Sequence, residues 1–474
     1  MPIVNRNIAG LDRKEWQMMT PAPVATATAA MVIADDADGV DNLALYVSSA
    51  TVMHLYHHDE DSFVQVPAPS PVFGGSFVAG ACGARVRWSA TLTANGGSTT
   101  TATVPSTFPI NGLCIGRRVR FLTGTQAGRE ATITGAIIVP GGTSTIQFAA
   151  LPGAIANTDT FVVDTGRFFV LLAGTMAANC FRSFDPLTST WSAGLAFAGL
   201  PATIGTDGKL VSTPDVDIFA SGTATAGAAT TLTNGAKTWT VNQWANYQVR
   251  ITGGLGVGQV RTIASNTATV LTVSAAWTTN PDATSTYAIE SNADYLYFMG
   301  NAAVTMYRYS ISANTWSTLS PGVARTGAPA AGMTANWIGV TGDANWASES
   351  AILDGRYIYS FRGGAGALLD RYDIAANSWL AVTYGNTAET FTTGTSSCAF
   401  GRYVIVRKDA TNRFFKYSVR GNYLEPLSVN LYPDGAVVLG NKLWVYRHPQ
   451  DPTGTAFLLS LANTGTPLHR LMLF

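Results

Sequence analysis

The sequence predicts an all-β protein built from short sheets that repeat along the chain, and three observations support this. The 474 residues are 47% hydrophobic but only 12% charged, a balance that suits short strands with many turns and does not suit disorder. A pattern of apolar strands with an aromatic end recurs along the chain. Two long stretches interrupt that pattern, and they match one another in sequence.

The repeat consists of an apolar strand, a turn containing glycine, a strand with an aromatic end, a short turn and a final aromatic residue. Another short apolar stretch precedes each copy, so each copy supplies four strands. The final aromatic position is occupied in chain order by Phe63, Trp191, Trp316, Trp379 and Tyr423. We expect these side chains to pack between neighbouring sheets, because one such sheet cannot bury both of its faces alone.

Four strands in roughly 40–50 residues is the spacing of propeller blades. The pattern resembles the kelch family of β-propellers, and the residues that carry the resemblance are Gly363 and Gly364, Tyr372 before the turn, and Trp379 after it. The copies of the repeat give a count of about six blades, with five or seven as alternatives, and the resemblance implies that they form a kelch-like ring. The last blade gains its fourth strand either from the segment around Trp16 or from the C-terminal residues 468–474.

The two interruptions are related to each other. The sequence "VRFLTGTQAGREATI" at 119–133 aligns without gaps on "VRITGGLGVGQVRTI" at 249–263, so Arg120 corresponds to Arg250 and Gly128 to Gly258. Short alternating runs between turn residues predict that each is a small β-sandwich or barrel. We expect both to leave the propeller just after the first strand of a blade.

The predicted organisation therefore has a discontinuous propeller and two inserted modules. The propeller occupies 1–86, 165–217 and 291–474, module 1 occupies 87–164, and module 2 occupies 218–290.

Module 2 contains the segments "GVGQVRTI" and "WTTNPDATSTYAI", and it resembles a module that recurs in tail and other structural proteins of bacteriophages. The resemblance implies a virion component, made in the host cytoplasm. It also implies that the protein binds other virion proteins and is present in several copies of a symmetric assembly.

The glycine-rich stretch at 253–261 does not fit a nucleotide site. A P-loop needs Lys followed by Ser or Thr after its last glycine, and neither copy has it. Strand patterns flank the glycines on both sides, whereas a dinucleotide fingerprint opens a helix. We therefore predict a β-hairpin turn.

No catalytic constellation is readable in the sequence. The densest cluster of potential ligands, "HLYHHDED" at 54–61, is interpreted as a solvated blade turn, with a divalent-cation site as the alternative. Arginines such as Arg182, Arg308 and Arg371 recur at one blade position, which favours packing over substrate binding. We predict a non-enzymatic protein with no catalytic residue, no cofactor and no bound metal.

Net charge, the length of apolar runs, the N-terminal pattern and cysteine spacing each argue against a further class of protein or partner. The 29 basic and 29 acidic residues give a net charge of zero without long charged runs, so nucleic acid is not an expected partner. No apolar run is long enough to span a membrane, and the first residues do not have the pattern of a signal peptide. The 4 cysteines are widely spaced, and we expect free, buried thiols.

The candidate interface is the loop "NWIGVTGDANW", which contains Trp337 and Trp346, because recognition is common in loops on rigid scaffolds. The favoured function is a rigid adaptor in the tail, neck or capsid surface of a bacteriophage. The alternative is a receptor-binding protein that recognises a cell-surface glycan. A propeller glycosidase or oxidase is the least favoured interpretation.

Overall fold

The computed structural model describes residues 16–18, 31–33, 43–47, 49–57, 62–74, 81–205, 208–212, 218–290, 292, 294–300, 303–327, 336–337, 357–364, 368–384, 389–392, 395–400, 403–408, 413–419, 421–427, 435–439, 442–446 and 456–460. The regular elements in these ranges are β-strands, apart from one short 3-10 helix at Gly112–Cys114. Within them, no helix has the length and apolar character needed to cross a membrane.

Six four-stranded antiparallel sheets form most of the fold, numbered here in chain order. Sheet 1 comprises Met31–Ile33, Leu43–Val47, Met53–His57 and Ser62–Gln65. Sheet 2 comprises Cys82–Val86, Arg167–Leu171, Phe181–Asp185 and Thr190–Trp191. Sheet 3 comprises Lys209–Ser212, Tyr295–Met299, Met306–Ser310 and Thr315–Thr318.

The remaining three sheets follow towards the C-terminus. Sheet 4 comprises Asn336–Trp337, Tyr357–Phe361, Leu369–Asp373 and Ser378–Val382. Sheet 5 comprises Ser396–Phe400, Tyr403–Arg407, Phe414–Ser418 and Tyr423–Leu427. Sheet 6 comprises Gly435–Leu439, Lys442–Tyr446, Ala456–Ser460 and the N-terminal Trp16–Met18. A two-stranded ribbon pairs Gly174–Thr175 with Thr203–Ile204.

The sheets are arranged in a propeller-like manner. In each sheet the strands are hydrogen-bonded in order from first to last, and the first strands of consecutive sheets contact one another from sheet 1 through to sheet 6. The N-terminal strand completes sheet 6, with Trp16 opposite Leu459. Of the two alternatives for the last blade, the structure therefore has the segment around Trp16.

Aromatic pairs across the last two strands of a sheet recur at one register position. Tyr309 lies opposite Trp316 and Tyr372 lies opposite Trp379, with ring centroids 5.0 and 5.1 Å apart. These four rings are buried, and together with neighbouring aromatic residues they fill the space between sheets.

The prediction that Tyr423 occupies this register position in sheet 5 is wrong. In sheet 5 the residue opposite Tyr417 is Leu424, and Tyr423 lies opposite Ser418. Leu424 is fully buried whereas Tyr423 is half-buried. The position is defined by its spacing from the preceding tyrosine, and an apolar side chain fills it as well as an aromatic one.

An asparagine in the last turn connects neighbouring sheets. The hydroxyl groups of Tyr309 and Tyr372 donate to the side-chain oxygens of Asn314 and Asn377 over 2.7 and 2.6 Å. Asn314 and Asn377 have φ of 50° and 46°, in the left-handed region that asparagine tolerates better than most residues. The Tyr417 hydroxyl makes the equivalent hydrogen bond to the side-chain oxygen of Asn422.

The same asparagines reach the segment that follows the previous sheet. Asn377 Nδ2 donates to the Ser320 carbonyl over 2.9 Å, just after sheet 3. Asn422 Nδ2 donates to the Thr383 carbonyl over 2.9 Å, just after sheet 4. The indole of Trp316 likewise donates to the carbonyl of Ala196, after sheet 2. This repeated unit therefore joins sheets 3, 4 and 5, each to the segment that follows the sheet before it.

Two further sheets are inserted in the chain. One lies between the first and second strands of sheet 2, and the other lies between the first and second strands of sheet 3. The six-stranded sheet has the order Leu92–Asn95, Asn157–Val163, Arg118–Phe121, Glu130–Ile137, Ser144–Phe148, Thr101–Val104. The seven-stranded sheet has the order Ala220–Thr223, Thr286–Glu290, Gln248–Gly253, Val260–Asn266, Val270–Val273, Thr231–Thr233, Ala226–Ala228. We call the units that carry them module 1 and module 2.

The two modules share strand order and irregularities. The aligned strands carry a register shift at the same place, between Ile133 and Gly135 in module 1 and between Ile263 and Ser265 in module 2. Each module also has its own hydrophobic core. Since bulges are specific structural features, this match supports a duplication.

We expect Asn377→Ala to destabilise the fold by about 2–3 kcal/mol, because it removes side-chain hydrogen bonds and puts alanine at a positive φ. Asn377→Gly is the matched control, since glycine tolerates this φ and loses only the hydrogen bonds. Chemical denaturation monitored by tryptophan fluorescence measures both. Equal stability of wild type and Asn377→Ala would contradict a structural role for this asparagine.

Candidate functional site

The glycine-rich stretch at 253–261 forms a β-hairpin turn, and the structure gives it a further role. The Gly258 N–H donates to the Ile251 carbonyl over 2.8 Å, and the equivalent Gly128 N–H donates to the Phe121 carbonyl over 2.7 Å. The two hairpins have the same backbone hydrogen bonding, as expected for copies of one turn.

The two glycine hairpins lie directly against each other. Gly128 and Gly258 have φ of 74° and 91°, which only glycine adopts readily. A Cβ atom on Gly258 would overlap the carbonyl oxygen of Ala127, and one on Gly128 would overlap Gly258 itself. The glycines therefore permit the backbones of the two modules to meet.

Four charged side chains surround this contact. Arg120 lies 2.6 Å from Glu130 and 3.1 Å from Glu290, and Arg250 lies 2.6 Å from Glu290 and 3.3 Å from Glu130. Arg250 also donates to the Gly128 carbonyl over 3.1 Å. The four side chains are at most 18% exposed, so water screens these ion pairs only weakly.

The charge network continues to the base of module 1. Asp164 accepts hydrogen bonds from Arg118, over 3.3 Å, and from the Nε of Arg87, over 2.9 Å. Two guanidinium groups contact the Trp88 ring, that of Arg87 at 5.0 Å and that of Arg120 at 4.5 Å from its centroid. These contacts connect the two ends of module 1 to each other. They also connect them to the junction, by which we mean Gly128, Gly258 and the four charged side chains around them.

Asp164 and Glu290 occupy equivalent places in the two modules. Val163 lies opposite Val119, and Ile289 lies opposite the aligned Val249, so the acidic residue that follows each is the last residue of its module. The junction thus links the exit of module 2, through Glu290, to Arg120 of module 1. This arrangement holds the two modules in one relative orientation.

A groove of about 640 Å³ lies between the hairpins. Its walls come from both modules and include Gly124 and Thr125 on one side and Gly256 and Thr279 on the other. The ionisable side chains among its lining residues are Arg120 and Arg261. This groove, together with the junction beneath it, is the candidate functional site.

The structure describes all of the predicted repeat residues. Trp316 and Trp379 are buried, Trp191 is half-buried, and Phe63 packs on Tyr56 with ring centroids 4.7 Å apart. Gly363 and Gly364 both have positive φ in the turn between the second and third strands of sheet 4.

The predicted interface loop is described only in part. Trp337 lies in the first strand of sheet 4, opposite Ile358. Trp346 lies outside the described residues. A role for these two tryptophans in binding stays a prediction.

Three other tryptophans are core residues. Trp239, Trp244 and Trp277 are buried in the core of module 2. They do not form an exposed platform on which a sugar could stack.

The arginine repeat holds for two of its three members. The Arg308 guanidinium lies 4.2 Å from the Tyr295 ring centroid, and that of Arg371 lies 4.3 Å from Tyr357. Arg182 lies opposite Val170, one residue away from the equivalent register position. Its inclusion in the repeat was wrong, because the pattern was aligned on the arginine and not on the paired aromatic residue.

The histidine cluster is described at His54 and His57, while residues 58–61 lie outside the described ranges. His54 is buried in sheet 1, and burial lowers its pKa below the ordinary value. Within the described part of the chain, no three His, Cys, Asp or Glu side chains are grouped so that they could hold a metal ion.

The described cysteine side chains are free thiols. Cys82, Cys114 and Cys180 are buried, and burial raises the pKa of Cys82 to about 12 and that of Cys114 to about 11. They are therefore protonated at neutral pH and unsuited to act as nucleophiles. The side chain of Cys398 is not among those described.

Sequence reasoning missed the junction. The alignment pairs Arg120 with Arg250, but Glu130 aligns with Val260, and nothing in the sequence places Glu290 beside Arg120. The useful indication was the glycine shared by both hairpins, since a glycine kept in two copies of a turn can mark a close backbone contact.

No protein-family model matches the chain, and no curated protein matches its sequence. Among solved structures, similar ones include regucalcin, a calcium-binding protein from Agrobacterium tumefaciens, at 9% identity, covering 94% of this chain and 93% of that chain, with a TM-score of 0.37. U3-55K has 5% identity, coverage of 94% and 98%, and a TM-score of 0.35. The mitotic checkpoint complex has 7% identity, coverage of 98% and 97%, and a TM-score of 0.37.

These structural neighbours are β-propellers. Their TM-scores are all below 0.5, so the propeller-like fold of this chain rests on its own strand order and on the contacts between its first strands.

We expect Gly258→Ala to destabilise the protein much more than Gly141→Ala does. Both glycines have positive φ, but a Cβ on Gly141 meets no neighbouring atom, whereas one on Gly258 overlaps Ala127 of the other module. Strain at φ costs about 1–2 kcal/mol in both variants, and forced overlap adds about 1–3 kcal/mol. Thermal unfolding measures the difference, and equal shifts would show that the hairpins do not touch.

We expect Arg250→Ala to destabilise the protein by about 3–5 kcal/mol, because it leaves carboxylates in a desolvated site with too few partners. The matched control is Arg413→Ala, which removes an ion pair with Glu389 from a side chain that is 51% exposed. Exposed pairs contribute about 0–1 kcal/mol. Denaturant titration measures both, and similar losses would contradict a desolvated junction.

Proposed function

We propose that this chain is a kelch-like propeller of six blades with two related inserted β modules, and that it acts as a non-enzymatic structural adaptor. We further propose that it is a virion component of a bacteriophage, in the tail, neck or capsid surface. The observation that carries the adaptor proposal is the junction of Gly128, Gly258 and their four charged neighbours, which joins the two modules into one rigid unit.

The geometry supports an adaptor because the modules leave consecutive sheets at corresponding places. Module 1 follows the first strand of sheet 2, and module 2 follows the first strand of sheet 3. Two units that leave neighbouring blades and then bind each other present a preformed surface. Such a surface binds a partner without a large loss of conformational freedom.

Module 1 is also anchored to the sheet from which it emerges. Asn111 Nδ2 donates to the Pro186 carbonyl over 2.8 Å, and Leu187 is buried in the core of module 1. Asp185 accepts hydrogen bonds from the Ala90 and Leu187 N–H groups, over 2.7 and 2.9 Å. These contacts favour a stiff connection, as an adaptor requires.

The virion assignment is supported by the resemblance of module 2 to modules of bacteriophage tail and structural proteins. Its partners would be neighbouring virion proteins, and its neutral net charge agrees with packing among other proteins. A structural role also agrees with the described chemistry, since the thiols are protonated and the repeated arginines stack on tyrosines.

Electron microscopy of the native particle tests the proposal. We expect density for the propeller and its paired modules at symmetry-related positions, in contact with other particle proteins. A free monomer that turns over a glycan, and that no particle contains, would falsify the adaptor function.

We expect a chain that lacks both 91–164 and 222–290, each replaced by a short Gly-Ser linker, to fold as a propeller. Both stretches begin and end between neighbouring strands of one sheet, so their removal leaves the strand pairing of sheets 2 and 3 intact. Circular dichroism and a cooperative thermal transition check this. Insoluble or molten protein would contradict the view that the modules are insertions.

A further inference from the structure

We propose that the groove between the two modules binds an extended acidic peptide segment of a neighbouring protein. This inference rests on the proposed adaptor function, and it names the chemistry of the partner and the place where it binds. The charge, the polarity and the rigidity of the groove support it.

The charge of the groove is positive. Arg120 and Arg261 line it, while Glu130 and Glu290, which neutralise the junction, are not among its lining residues. Arg120 is engaged by both of those carboxylates. Arg261 is therefore the side chain available to pair with an anionic group of a ligand.

Arg261 is held in place but retains donors. Its Nε donates to the Ala276 carbonyl, its Nη1 to the Val260 carbonyl and its Nη2 to the Thr278 hydroxyl, over 2.9, 2.9 and 3.2 Å. Its guanidinium also lies 5.6 Å from the Trp277 ring centroid. A guanidinium has five N–H donors, so these bonds among described residues leave two for a carboxylate.

The remaining walls suit a peptide better than a saccharide. Thr278 and Thr279 present exposed hydroxyl-bearing side chains, and Leu122 is 42% exposed at the opposite wall. This combination fits alternating acidic and aliphatic side chains along an extended segment. Among the lining residues, Phe121 is the aromatic one and it is fully buried, so the groove offers no exposed ring on which a sugar could stack.

The walls are also fixed before any ligand binds. The two hairpins contact each other through Gly128 and Gly258, and Gln259 ties the turn at Thr278 and Thr279 to its own hairpin through its side-chain oxygen. A ligand therefore meets a formed groove. Little of the interaction energy is lost in ordering the protein.

The experiment is a selection of random short peptides, displayed on yeast, against the full-length protein. We expect the selected peptides to combine Asp or Glu with aliphatic residues. Arg261→Ala and Thr279→Glu should each weaken their binding by about tenfold or more, and Thr279→Lys should maintain or strengthen it. Thr279 is exposed, so its variants test the groove even if Arg261→Ala affects folding.

Arg413→Ala is the control for loss of one positive charge, since Arg413 lies in the region of sheet 5 and is not a lining residue. It should leave the affinity unchanged. The proposal is overturned if no peptide is selected, or if the selected peptides lack acidic residues. It is also overturned if they bind Arg261→Ala and Thr279→Glu as well as wild type.

A heparin oligosaccharide serves as the saccharide probe. If it binds in an Arg261-dependent manner while no peptide does, the groove is a saccharide site and the peptide proposal is wrong. Imaging of the native particle tests the adaptor function separately, so failure of the groove proposal and failure of the adaptor proposal give different results.

Discussion

The backbone contact between Gly128 and Gly258 is the constraint on which the arrangement of the two modules depends. It brings Arg120 and Arg250 within reach of Glu130 and Glu290, which leaves two positive and two negative groups in mutual contact. A side chain at either glycine would separate the hairpins, and each buried charge would lose part of its compensation. The groove beside the contact is lined by residues of both hairpins, so its walls depend on the same meeting of the two modules.

The propeller-like part of the fold depends on a smaller repeated unit. A tyrosine, an asparagine five residues later and an apolar residue two positions further connect one sheet to the segment after the previous sheet, as in Tyr372, Asn377 and Trp379. The unit gives the carbonyl that follows the previous sheet a side-chain donor from the next sheet. Its repetition explains why similar sequence segments recur along the chain.

The repeats were predictable because they are local. Spacing between apolar and aromatic residues located the strands of sheets 2 to 4, and their glycines located the turns. The prediction failed where residue identity was followed in place of spacing, at Tyr423 and at Arg182. Closure of sheet 6 by the segment around Trp16 was left open, because a strand contributed from the other end of the chain has no local sequence pattern of its own.

The sequence by itself determined the all-β pattern, the duplication of the modules and the turn conformation of the glycine stretch, since each depends on residues close together in the chain. Only the tertiary structure decided that the two copies of this turn face each other and that Arg120 meets Glu290. Those contacts join residues far apart in sequence, and they follow from where sheets 2 and 3 place the two modules. Packing of distant backbones, which a local pattern does not encode, turned a hairpin glycine into an interface residue.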